Sequence, residues 1–283
     1  MFIPRSKLYT RRRQLLQSCR HALLLGGLVR HVSYRLGLHG QLGVSTHHVS
    51  LPPRQRLARP LKIAFASDLH AGPSTHPAIF EQLFARLQQE QPDLLLLGGD
   101  YVAGPAHHAA QLCAGLAACQ PPLGKFGVFG NHDLATDDGH IGALFAAAGV
   151  QMLVNRAVGL AAPFQQVSVC GMDDPWTGEP NPRMTFARAG AVRIFLVHAP
   201  DGLLTLSGQR YHIAFAGHTH GGQIARRNGR PLVWPKGPLS RKLYHGRYAV
   251  AGNGDLIVTR GVGCSTIPVR LNADPELVIC TLQ

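Results

Sequence analysis

With 283 residues, 45% of them hydrophobic and 15% charged, the chain can bury a full core and is too apolar for a mainly disordered protein. Six scattered cysteines (Cys19, Cys113, Cys119, Cys170, Cys264, Cys280) form no C-x-x-C pair, which argues against a disulfide framework or a thiolate metal site and for buried free thiols. The formal charge of +13 is uneven: residues 1–60 hold 11 Lys and Arg and no acid, the remainder 17 basic and 15 acidic residues. The excess charge is therefore assigned to an arm and not to the rest of the chain.

Residues 1–40 form that arm. Leu15, Cys19, Ala22, Leu25, Val29, Val32 and Leu36 recur at three- or four-residue steps, while Arg13, Gln17, Arg20, His21, His31 and Arg35 fall largely elsewhere. This spacing predicts a basic amphipathic helix that lies in a bilayer interface, its Arg side chains reaching toward anionic headgroups. The longest apolar run, Ala22 to Val29, is far short of the roughly 20 residues a span requires. Peripheral attachment to the cytoplasmic face of the membrane is the expectation. Arg12-Arg13-Gln14-Leu15-Leu16 offers a competing reading as a twin-arginine export signal, and a solvated or nucleic-acid-facing arm is a third. Residues 41–60, rich in Ser, His, Pro and Arg, are expected to be a linker or an edge strand.

Residues 61–283 then read as one domain. Strand 61–67 precedes a helix near 77–90, strand 93–98 a helix near 107–118, and strand 125–130 a helix at 139–148. Further strands are expected within 151–171 and near 192–197, 212–216, 255–260 and 276–282. Alternating elements followed by strand-rich sequence predict an α/β chain with two packed sheets and helices outside.

Five of these apolar runs close on a polar segment: Asp68-Leu69-His70, Gly99-Asp100, Gly130-Asn131-His132-Asp133, Val197-His198 and Gly217-His218-Thr219-His220. Donors at the ends of buried strands converge on one sheet edge, where sites in α/β sheets lie. Two Asp, one Asn and four His are the oxygen and nitrogen donors with which a pair of divalent cations activates water against a phosphate ester.

The order Asp-x-His, Gly-Asp, Gly-Asn-His-Asp, His and Gly-His-Thr-His resembles the calcineurin-like metallophosphoesterase superfamily over roughly residues 61 to 283. Gly217 to Gln223, followed by Arg260 to Arg270 and Pro275-Glu276, is similar to the bacterial membrane-associated branch with YkuE-like and YaeI-like phosphodiesterases and a UDP-2,3-diacylglucosamine pyrophosphatase. The resemblance implies a four-layer α-β-β-α sandwich with two mixed sheets. It also implies one metal on Asp68, His70, Asp100 and His220, and a second on Asp100, Asn131, His198 and His218, bridged by Asp100. The implied nucleophile is a metal-activated hydroxide. His132 is expected to contact the phosphoryl oxygen or protonate the leaving group, with Asp133 orienting its imidazole. Hard and borderline donors favour Mn(II), with Fe(II) or Zn(II) as alternatives.

The expected partners are a phosphodiester or pyrophosphate substrate, lipid-linked or nucleotide-linked such as UDP-2,3-diacylglucosamine, and an anionic membrane surface. A nuclease or nucleotide phosphodiesterase whose arm binds nucleic acid ranks lower, because the arm shows no aromatic stacking platform. A non-catalytic scaffold ranks last, since it has no need of every ligand. Asp173-Asp174-Pro175 reads as an Asx turn or as a wall of the substrate pocket. Arg226 and Arg270 read as surface charges or as clamps for a second phosphate.

Overall fold

The computed structural model describes residues 24–283. Among them, strands β1 (Gly43–Val49), β2 (Leu61–Ala66), β3 (Leu94–Leu97), β4 (Lys125–Gly127) and β5 (Val150–Met152) form a first sheet with β12 (Glu276–Leu282), in the order β1-β12-β2-β3-β4-β5. Strands β6 (Arg156–Gly159), β7 (Val167–Gly171), β8 (Val192–Leu196), β9 (Ile213–Ala216), β10 (Gly246–Ala249) and β11 (Asp255–Val258) form the second, in the order β10-β11-β9-β8-β7-β6. Each sheet is mixed: β2 to β5 run parallel and so do β7, β8, β9 and β11, while β12 opposes β2, β6 opposes β7 and β10 opposes β11.

Period-two alternation explains how an all-apolar strand serves two cores at once. In β3, Leu94 and Leu96 enter the core between the sheets, and Leu95 and Leu97 enter the core under the helices. In β2, Ile63 and Phe65 face the opposite sheet, where the Phe65 and Phe215 rings meet at 5.2 Å. Ala64 and Ala66 face the helices, which pack on them through Ile79, Phe80 and Leu83 of α2 (Pro77–Glu90), Leu112 and Leu116 of α3 (Ala110–Ala118), Leu134 of α4 (Asn131–Leu134), and Ile141 and Phe145 of α5 (Asp138–Ala147). A third core lies on the outer face of the second sheet, around Phe195, Tyr211 and Leu256. Short turns cover it, among them α6 (Pro182–Thr185) and the 3-10 segment Pro200–Thr205, so the fourth layer is thin.

Of the two readings of residues 41–60, the edge strand holds, and the described end of the arm is docked on the domain. Gly43–Val49 is the edge strand, paired in parallel with β12 from Gly43↔Glu276 to Val49↔Leu282. Before it, α1 (Leu28–Arg35) rests on the domain: the Arg30 guanidinium donates to the carbonyls of Gly72 and Thr75, Ser33 Oγ donates to Pro268 O, and Tyr34 stacks on His76 at 4.1 Å. Arg30 therefore points into the domain and not toward headgroups, because carbonyls at the end of the Asp68 loop satisfy it. Val32 and Leu36 of the expected apolar stripe face outward, 51% and 68% exposed. Leu15, Cys19, Ala22 and the Arg12-Arg13 pair lie outside the described residues. No helix among the described residues is long and apolar enough to cross a membrane. The five described cysteines are free thiols.

Candidate metal centre

Each motif sits just past the C-terminal end of a parallel strand, β2, β3, β4, β8 or β9, and the two sheets bring these ends to one edge of the sandwich. The chain must turn sharply there to aim side chains inward. Asp68, His70, Asp100, His218 and His220 all adopt positive φ, between 45° and 70°. Non-glycine residues reach this region at a cost that only dense surroundings sustain, and such strain concentrates at functional sites. The glycines of the motifs answer a steric demand: a side chain on Gly130 would collide with the Asp100 carboxylate, and one on Gly217 with Ser67 and Asp68.

Seven of the sequence-derived residues converge in two groups that share Asp100. On one side, His70 Nε2 lies 3.1 Å from His220 Nε2, His220 Nε2 lies 3.4 Å from Asp68 Oδ1, and His70 Nε2 lies 3.6 Å from Asp100 Oδ2. On the other, His198 Nε2 lies 3.4 Å from Asp100 Oδ2, 3.2 Å from Asn131 Oδ1 and 3.3 Å from His218 Nδ1. The sets Asp68, His70, His220 and Asp100, His198, His218 each place their ligand atoms within 4.8 Å of one another, and His132 joins His70 and Asp100 in a third.

The chemistry of the donors fits cations between them. Imidazole nitrogens face each other nearly in contact, where two lone pairs repel unless a proton or a metal lies between. Burial pushes His70 and His218 down to about 3 and His220 well below its ordinary value, so all three are neutral with lone pairs available at neutral pH. His198 Nδ1–H donates to Gly98 O at 2.8 Å; burial alone would lower its imidazole, but Asp100 and Asp68 beside it raise it well above its ordinary value, so Nε2 carries a proton toward Asp100 in the place a cation would take. Burial alone would raise the Asp100 carboxyl, but His198 and His132 beside it hold it well below the usual range, and it is ready to bridge as a carboxylate. Burial pushes Asp68 up to about 6.

A second tier holds these ligands. Asp133, expected to orient His132, also has a backbone role. Its Oδ2 accepts the backbone N–H groups of Asp100 at 2.8 Å and Gly130 at 2.9 Å, and its Oδ1 accepts that of Tyr101 at 2.8 Å. Asp133 thus locks the turn that presents Asp100. The His132 N–H donates to Asp100 Oδ1 at 2.7 Å, and the His218 N–H donates to both Asp68 oxygens. Tyr101 packs, its hydroxyl donating to Val128 O at 2.7 Å.

Arg270 is neither a surface charge nor a phosphate clamp. It is 3% exposed and donates to the carbonyls of Gly263, Ala273 and Arg260, with Nη2 also 3.2 Å from His220 Nδ1. Gln223 Nε2 donates to the carbonyls of Ile267 and Val269. Glu276 Oε2 accepts from Arg260 N at 2.8 Å. The motifs 217–223, 260–270 and 275–276 therefore form one bracket behind His218 and His220.

Over the ligands opens a cleft of about 510 Å³, lined by Asp100, Asn131, His132, His218 and His220 on its floor and by Ile224, Val233, Trp234 and Ile267 on one wall. Across the site, the Trp176 indole stacks over His218 at 6.1 Å. The Asp173-Asp174 turn positions it, since Asp174 Oδ2 accepts the N–H groups of Trp176 and Thr177. Sequence reasoning missed Trp176 and the 224–236 wall; the signal it had was two tryptophans in Gly/Pro-rich loops, the second of them following the strand that delivers His218 and His220.

Residues 61–222 match the family profile described as calcineurin-like phosphoesterase. The phosphodiesterase YaeI of Escherichia coli is 34% identical over 233 residues, covering 80% of this chain and 83% of its own. An uncharacterized metallophosphoesterase of Bacillus subtilis, YkuE, is 29% identical, covering 78% and 79%. Among solved structures, the NAD nucleotidase NadN of Haemophilus influenzae shares the fold, with a TM-score of 0.50 and 12% identity over 74% of this chain and 46% of that one. The present chain spans less than half of that protein.

Proposed function

Because the chain belongs to the calcineurin-like phosphoesterase family, we propose that it is a dinuclear metal-dependent hydrolase of phosphodiester or pyrophosphate bonds, acting on a lipid-linked or nucleotide-linked substrate at a membrane surface. The observation that carries the proposal is the convergence of two donor groups on one buried carboxylate, Asp100. Asp68, His70, Asp100 and His220 would hold one cation, and Asp100, Asn131, His198 and His218 the other. When bound, two divalent cations lower the pKa of a water and neutralise charge on the phosphoryl group.

The chain's own residues supply the rest. His132 lines the cleft with its ring 4.8 Å from that of His70, in reach of a phosphoryl group above the ligands; it contacts that group or gives the leaving oxygen its proton. Asp100 is held as a carboxylate by its imidazole neighbours, and Asp133 keeps it from turning away. Ile224, Val233 and Ile267 make an apolar wall that suits a substrate with a hydrophobic moiety. Mn(II), Fe(II) and Zn(II) all suit these donors.

The test begins with metal-free protein, bis-p-nitrophenyl phosphate and p-nitrophenyl phosphate, with Mn(II), Zn(II), Fe(II) or Mg(II) restored singly. Diesterase activity should return with metal. Asp100→Asn should lower both metal content and kcat/KM, the latter by about three orders of magnitude. His132→Ala should lower kcat by about 10²–10⁴ while metal is retained. A folded protein that binds none of these metals would overturn the hydrolase. Equal kcat/KM on UDP-2,3-diacylglucosamine and on its deacylated counterpart would remove the lipid part of the proposal.

A further inference from the structure

Most large apolar side chains left in water among the described residues belong to segments that neighbour one another. Among the described residues, nine of the twelve exposed large hydrophobic side chains come from three segments. Leu28, Val32 and Leu36 of α1, with Leu38 just after it, supply four. Leu232, Val233 and Trp234 supply three, at 51%, 61% and 41% exposure. Ile267 and Leu271 supply two.

Hydrogen bonds show that the three segments are neighbours. Ser33 of α1 donates to Pro268 O, and Arg270 N donates to Leu38 O at 2.6 Å. Leu271 bridges Ile224 in parallel, and Leu232 N donates to Ile224 O at 2.9 Å. The face is thus continuous, and through Val233, Trp234 and Ile267 it becomes the wall of the metal cleft. Scattered exposed apolar residues are ordinary; a contiguous patch at the mouth of a site is not.

Its charge identifies the occupant. Residues 224–245 contain Arg226, Arg227, Arg230, Lys236, Arg241 and Lys242 and no acid. The first four are exposed and flank Leu232 to Trp234. The positive charge assigned by sequence to the arm therefore has a second seat inside the catalytic domain. The interface of an anionic bilayer matches both features at once, acyl chains beneath a layer of phosphate. Arg230 lies over the Trp234 ring at 5.5 Å, so the apolar and cationic elements are held side by side.

We propose that α1, the 224–236 hairpin and the 267–271 segment form a basic-bordered apolar collar that seats on an anionic bilayer with the mouth of the metal cleft against the lipid. The collar belongs to the folded domain and acts in addition to any contact made by the preceding residues. It deepens the hydrolase proposal above by assigning the direction from which substrate enters, and its test uses no catalysis.

Trp176→Phe in the full chain leaves Trp234 as the sole tryptophan, since the chain has two. Its emission is followed with phosphatidylcholine vesicles, with and without phosphatidylglycerol, carrying bromine on the acyl chains. The expected result is a blue shift and quenching of Trp234 by the anionic vesicles, weakened by salt. Leu232→Glu with Leu271→Glu should lower vesicle affinity on the order of tenfold or more while bis-p-nitrophenyl phosphate hydrolysis is unchanged. Should that pair lose its native circular dichroism, Arg226→Gln with Arg227→Gln asks the same question of the border and should reduce binding several-fold.

Vesicle binding that leaves Trp234 unquenched overturns the collar, because the chain is then held elsewhere. So does the absence of binding, or affinity that neither variant lowers. Tighter binding to single-stranded DNA or RNA than to vesicles, lost in Arg226→Gln with Arg227→Gln, also overturns it and assigns the border to nucleic acid. A protein that hydrolyses the diester with Trp234 unquenched refutes the collar alone; one that is quenched but inactive with every metal refutes the hydrolase alone.

Discussion

The floor and the wall of the cleft are built by opposite rules. On the floor, Asp68, His70 and His198 are 0% exposed and Asp100 2%; the wall carries Val233 at 61%. The floor is over-determined: Asp133 locks the Asp100 turn, Asp68 receives the His218 N–H, and Arg270 fills the space behind His220. Strained left-handed backbone persists there because several bonds would have to break together. The wall stands on a few backbone bonds, such as Leu232 N to Ile224 O and Arg226 N to Arg230 O. Chemistry needs positions held to fractions of an ångström, while recognition of a soft or variable surface does not.

Substitutions that spare the candidate metal ligands sharpen this contrast. Arg270→Met should have the largest effect, because it strips the donor from three buried carbonyls at once. A loss of about 3 kcal/mol in unfolding free energy is expected, read by urea denaturation, with metal affinity falling about 10–100-fold. Asp133→Asn should come next, turning one acceptor oxygen into a donor against backbone N–H groups. It should cost about 2 kcal/mol and lower kcat/KM about 10–100-fold without removing any ligand. If either variant matched the parent in stability and metal content, the floor would not be over-determined.

A smaller effect is expected where α1 meets the domain. His39 is 1% exposed beside Ser74 and His76, and burial pushes it down to about 4. Above pH 6.5 it is neutral both folded and unfolded. Between about 6.5 and 4 the unfolded chain takes up a proton that the folded chain refuses, so stability falls as pH falls through that window. Thermal melts across it should show a slope that His39→Gln flattens. The smallest effect belongs to the exposed residue beside the wall: Leu232 does not line the cleft, and Leu232→Ser should change unfolding free energy by less than about 0.5 kcal/mol. A larger loss would mean that the wall is part of the folded core's support.

Legibility in the sequence followed the same divide. β3 could be read because Leu94 to Leu97 is buried on both faces, and an apolar run closed by Gly98-Gly99-Asp100 leaves little choice of element. The seven candidate ligand positions were legible because each follows such a run. Asp133 and Arg270 were named, but their work was not, since it depends on backbone groups 32 residues away for Tyr101 and on His220 50 residues away. Gly43–Val49 could not be separated from a linker, because an edge strand presents one half-exposed face and carries little periodicity. The arm's stripe was legible as a period, but its direction was not: Ser33 and Arg30, not Val32, find partners on the domain.

By itself the sequence determined the class of the fold, the donor types and the order in which strands deliver them, because these follow from local periodicity and from residues adjacent in the chain. Only the tertiary structure decided that Asp100 is shared between two groups of donors, that Arg270 stands behind His220, and that an acid-free hairpin joins α1 in one apolar face. Those are relations between residues tens to hundreds of positions apart, and no local pattern records a distance that is created when two sheets pack.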